Sequence, residues 1–231
     1  MGMSPEIQAK VNNAPSLTQT AKALLQVCDG GPTSVDDLIK VVKKDSDLLQ
    51  SVVDKASQIH FVRHGERVSS IEIAVNLLGD NQVMNLIADS CPPQFLFSAL
   101  PGYAGEEGAL WEYCLVSGIA TREISYYARS NIDPVTAYLG GLFHAMGKVI
   151  MSELMAGKTE QALETVANDE EVDFLDVEKQ CTGINHCELG EHLSIKWELP
   201  EAFSQILQYY QRPSISDGLF QPLVYCVHVG S

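Results

Sequence analysis

Gly140-Gly141-Leu142-Phe143-His144-Ala145-Met146-Gly147-Lys148 opens on two glycines, closes on a third beside a lysine, and is apolar on nearly every side between them. Hydrophobicity all round belongs to a helix buried among other helices, not to one lying on a surface. The glycines let neighbouring helices approach closely. Just upstream, Asp133-Pro134 is a strong helix start, with Asp as the cap and Pro at the first helical position. Inside this segment stands one imidazole, His144, followed by the methyl group of Ala145. An imidazole beside a carboxylate can hold and charge-balance a divalent cation; an imidazole beside alanine cannot. The stretch predicts a buried helix packed closely against its neighbours.

Helical punctuation continues in both directions. Ser34 with Asp37, Ser69 with Glu72, and Asn185 with Glu188 each have the spacing of an N-terminal cap. Gly79 can end the helix over Ile71 to Leu78, and Asp80 can cap the next one. His60 and His64, flanking Arg63, read as part of a connector. No segment alternates with period two for long enough to argue a strand, so the fold class is all-α. Cys91 to Gly108 is rich in Pro and Gly and marks a break. The expected architecture is a two-lobed helical bundle, with residues 1–100 as the N-terminal lobe and residues 101–231 as the second.

Composition narrows the function classes. Against 15 Lys and Arg stand 30 Asp and Glu, for a net charge of −15, a field that repels phosphate backbones and anionic lipid. Direct nucleic-acid binding is therefore not expected. Pro134 to Gly147 is uncharged but shorter than the roughly 20 apolar residues that cross a bilayer, and the N-terminus is polar, so a soluble protein without membrane insertion is expected. Cys28, Cys91, Cys114, Cys181, Cys187 and Cys226 make no Cys-x-x-Cys pair and read as reduced thiols in a cytoplasm. Glu160 to Glu178 contains eight acidic residues and no Lys or Arg. It reads as a solvated face over Leu163, Val166, Phe174 and Leu175, with a docking surface for a basic partner as the alternative. No Walker loop or dinucleotide fingerprint occurs.

Taken in order, Pro15-Ser16-Leu17, Val41 to Leu49, Val68 to Gly79, Leu110-Trp111, the Gly140 to Lys148 stretch, Asn185 to Gly190 and Lys196 to Glu201 resemble the HD-related output domain, HDOD, of bacterial signalling proteins. The HD superfamily of metal-dependent phosphohydrolases carries Gly-Leu-Leu-His-Asp-Ile-Gly-Lys where this chain carries Gly140 to Lys148. One departure from the HDOD pattern is Lys55-Ala56-Ser57-Gln58, where Leu-Ala-Asn-Ser is common.

The resemblance implies an HD-like C-terminal half and assigns each position of the metal site. The first histidine becomes Tyr113, the His-Asp pair becomes His144-Ala145, and a later histidine is kept as His186. The next histidine region reads Gln208-Tyr209-Tyr210-Gln211, so that Tyr209 or Tyr210 projects into the site, and the terminal aspartate becomes Ser231. With both carboxylates gone, no catalytic residue, metal ligand or cofactor is expected. His144 and His186 are then expected as buried, hydrogen-bonded core histidines in a filled centre. The function implied is a non-catalytic signalling or scaffold module that binds other signalling proteins and has scope to form a homo-oligomer. The competing expectation is a phosphohydrolase or nucleotide-binding sensor with a rebuilt site.

Overall fold

A computed structural model of the chain describes residues 3–28, 32–64, 68–90, 94–168 and 172–231. Every regular element among the described residues is a helix. The only β-type pairing there is an isolated antiparallel bridge between Leu100 and Gly105. The chain divides into two units, Leu17–Pro92 and a second made of Met1–Ser16 with Pro93–Ser231.

The smaller unit holds α2 (Gln19–Val27), α3 (Val35–Val42), α4 (Ser46–His64), α5 (Ile71–Leu78) and α6 (Asp80–Ser90). Its core is aliphatic: Ala21, Leu24, Leu25, Leu38, Val42, Val52, Ala56, Ala74, Val83 and Ile87 are all but inaccessible to water. Ser34 and Asp37 form a reciprocal capping box on α3, which satisfies two of the backbone N–H groups a helix start leaves orphaned. The start of α5 differs from the expectation at Ser69. Ser70 is the cap, its hydroxyl accepting from the Ile73 amide, while Glu72 turns to Lys43 at 2.7 Å. Gly79 ends α5 at φ 74°, a conformation that suits glycine. The connector expected around His60 and His64 is instead the last part of α4; their side chains lie outside the described residues.

The larger unit begins with α1 (Pro5–Asn13) and continues with short 3₁₀ turns at Gln94–Phe97 and Pro101–Tyr103. There follow α7 (Ala109–Ser125), α8 (Pro134–Phe143), α9 (Gly147–Met155), α10 (Thr159–Asn168), α11 (Phe174–Thr182), α12 (His186–Trp197), α13 (Glu201–Tyr209) and α14 (Gln221–Gly230). Asp133 caps α8 with Pro134 at its first position, and Asn185 with Glu188 makes a capping box on α12. Residues 3–16, placed with the first lobe by the sequence reading, belong here. The Lys196 ammonium donates to the carbonyls of Val11, Asn12 and Ala14, which lie at the C-terminal end of α1, and the Trp197 indole N–H donates to Pro15 O at 3.1 Å.

The centre of this unit is α8, buried from Thr136 to Phe143. Two glycines set how closely its neighbours lie. A Cβ at Gly141 would come within 2.5 Å of the Ser117 carbonyl on α7, and one at Gly147 would collide with the His186 carbonyl at the head of α12. Helix α12 also packs on α13, and α14 on α7.

Candidate functional site

His144 caps the C-terminal end of α8 and is 1% exposed. Its Nδ1 lies 2.6 Å from Gly141 O and its Nε2 3.1 Å from the Tyr113 hydroxyl. A carbonyl only accepts, so Nδ1 carries the proton and the Tyr113 O–H donates to a neutral ring at Nε2. Burial pushes the His144 pKa from 6.5 down to about 3, consistent with that neutral form. Tyr113 and Tyr210 stand edge-on to the His144 ring, at 5.1 and 4.6 Å between centroids.

His186 opens α12 and is 4% exposed. Its ring Nδ1 lies 2.7 and 2.8 Å from the two oxygens of Glu178, and its backbone N–H donates to the same carboxylate at 2.8 Å. Nε2 faces the Tyr210 hydroxyl at 2.7 Å. Burial lowers the His186 pKa against the opposing pull of Glu178. Glu178, on α11, has no exposed surface and accepts a further hydrogen bond from the Tyr103 hydroxyl at 2.5 Å. Burial, reinforced by Glu178, holds the Tyr103 phenol well above its ordinary pKa, and burial does the same to Tyr210. Lys148, in the first turn of α9, places its ammonium over the rings of Tyr103 and Tyr113 at 5.8 and 5.1 Å. Burial lowers its pKa while Glu178 opposes that shift.

Tyr103, Glu178, His186 and Tyr210 thus form one hydrogen-bonded series. Tyr113 and His144 form a second, which meets the first edge-on through the Tyr210 ring. A divalent cation does not fit this arrangement. Both nitrogens of each imidazole already face a partner, the Ala145 methyl is fully buried, and the one carboxylate present is held by Tyr103 and His186. The Lys148 ammonium adds a competing positive charge. Among the described residues, no group of three or more His, Cys, Asp or Glu side chains is placed to hold a metal ion.

Of the positions singled out from sequence, Tyr113, His144, Ala145 and His186 come together here. Ser231 is exposed, and its hydroxyl donates to the His228 carbonyl at 3.1 Å. Tyr209 does not join them: it lines a surface cavity of about 190 Å³ with Lys179, Gln208 and Arg212, while its neighbour Tyr210, fully buried, fills the centre. The sequence reading missed Tyr103, Lys148 and Glu178 as members. Glu178 corrects the solvated-face reading of the acidic run, since it points inward, and Leu163 corrects it in the other sense, being 54% exposed. A signal existed for Glu178: it lies three residues after Leu175 and one after Val177, on the buried side of α11.

Comparison with known proteins agrees with this architecture. The HDOD domain pattern matches residues 14–213. An HDOD domain protein of unknown function from Geobacter sulfurreducens superposes with a TM-score of 0.67 at 19% identity, covering 97% of this chain and 74% of its own. A protein proposed to act in signal transduction, from Marinobacter aquaeolei VT8, gives 0.67 at 19%, covering 100% and 51%. A proposed phosphohydrolase from Shewanella amazonensis SB2B gives 0.58 at 17%, covering 98% and 80%. At these identities the likeness is one of fold. An uncharacterised Treponema pallidum (strain Nichols) protein is 18% identical over 97% of this chain, which spans 43% of that relative's length. With the family pattern covering most of the chain and the fold shared from end to end, this chain belongs to the HDOD domain family.

Proposed function

We propose that this domain is a non-catalytic signal-transduction module of HDOD type that works by binding other signalling proteins. The observation that carries this reading is the filled centre. Tyr210 packs against both His144 and His186, Tyr113 closes off the outer nitrogen of His144, and every imidazole nitrogen there is engaged. Metal-assisted phosphoryl transfer needs an open coordination position, a bound water and room for substrate. A small-ligand site needs a concave, largely preformed cavity. The proposed signalling role of the Marinobacter protein of like fold supports the same direction. The net charge of −15 argues against nucleic acid as the partner, and among the described residues no helix is long and apolar enough to cross a membrane. The proposal places the domain in a bacterial cytoplasm, with partners in trans or elsewhere in a longer chain.

The test is an assay for phosphohydrolase activity on nucleotides, cyclic dinucleotides and simple phosphoesters with added manganese. No turnover above the no-enzyme rate is expected. A manganese-dependent turnover that His144→Ala abolishes would overturn the proposal.

A further inference from the structure

The strongest unexplained surface feature is the solvent stripe of α7. One side of this helix is committed to the core through Leu110, Cys114, Ser117, Gly118, Thr121 and Ser125. The opposite side presents Glu112, Val116, Ile119 and Glu123 at successive helical spacings, and the chain continues past the helix end with Tyr126 and Tyr127. Val116 is 65% exposed, Ile119 42%, Tyr126 55% and Tyr127 87%. Single exposed apolar residues are ordinary, but several aligned on one helix face mark an interaction surface. From Glu112 to Tyr127 the stripe is about 22 Å long, roughly four helical turns.

Charge selects the occupant. Val116 and Ile119 are bracketed by Glu112 and Glu123, and among the described residues the one ion pair to either acid joins Glu123 to its neighbour Arg122 at 3.4 Å. A second copy of the chain fits poorly. Antiparallel pairing of α7 sets Glu112 against Glu123, parallel pairing sets each against itself, and each chain carries −15 overall. A helix with apolar residues at its centre and Lys or Arg toward its ends meets both the apolar pair and the two acids.

We infer that the outer face of α7, from Glu112 to Tyr127, is a docking surface for a basic amphipathic helix of a partner protein. The inference rests on the reading of the domain as an interaction module and names where and with what chemistry it interacts.

The experiment is to pan a displayed library of random peptides of roughly 16 residues, long enough for about four helical turns, against the intact protein. Selected peptides are then measured on V116S/I119S and on E112K/E123K, with melting curves confirming that both variants stay folded. Expected are peptides of net positive charge with paired apolar residues, binding about tenfold or more weakly to each variant and more weakly still in high salt. Peptides that bind the variants as well as the parent would overturn the α7 assignment while leaving the interaction reading intact. An acidic or uncharged consensus would overturn the partner chemistry, and no enrichment at all would count against both readings. A dimer seen in sedimentation that V116S/I119S dissolves would overturn the inference in favour of a second copy.

Discussion

Glu178 is cut off from solvent and meets its hydrogen-bonding needs entirely from Tyr103 and His186. Glu178→Gln would turn an amide NH₂ toward groups that themselves donate, leaving buried donors without an acceptor. A loss of about 1–3 kcal/mol is expected, read as a lower urea midpoint with unchanged slope; an unchanged midpoint would contradict the geometry. The buried histidines also set a pH dependence. His144 titrates near 3 when folded against an ordinary 6.5, so below 6.5 the unfolded chain binds the proton first. Stability is therefore full above pH 6.5 and is lost as pH falls toward 3, by up to about 1.4 kcal/mol per pH unit for this site. His186 shifts in the same direction. Denaturant midpoints across that range should show the slope, and His144→Gln should flatten it; an equal slope in the variant would contradict the assignment. The resemblance to the HD pattern pointed to Tyr113, His144 and His186. It could not choose between Tyr209 and Tyr210, because adjacent helical residues differ by about 100° in direction. Glu178 was hidden by its neighbours, since seven outward-reading acids make the eighth look like one of them.

At the scale of elements, caps were the most legible feature. Ser34–Asp37, Asp133-Pro134 and Asn185–Glu188 all start helices where side chain and backbone can satisfy each other locally. Ser69–Glu72 has the same spacing and is not the cap. The helix begins one residue later, after an extended Ser70 at φ −144° and ψ 154°, and Lys43, a residue from another helix, takes up the Glu72 carboxylate. A long-range ion pair of this kind leaves no trace in a four-residue motif. Ser70→Ala should cost about 1 kcal/mol through the lost cap, whereas Ser69→Ala should stay within about 0.5 kcal/mol. Thermal melts of the two single variants decide, and the reverse order of effects would contradict the assigned start of α5.

For the whole molecule, class and family were readable because helical periodicity and the ordered landmarks run through the entire chain. The allegiance of residues 3–16 was not. It depends on Lys196 and Trp197 meeting a segment more than 180 positions away, and only the folded chain brings them together. The same holds for the centre: Tyr103, Lys148, Glu178 and Tyr210 come from separate elements and converge on the two histidines. The central claim is that these side chains, and not a metal ion, occupy the heart of the domain. Elemental analysis of the protein purified without chelators tests it most directly. The structure predicts iron, manganese and zinc far below stoichiometry; about one such ion per chain, retained through gel filtration and lost in His144→Ala, would contradict it.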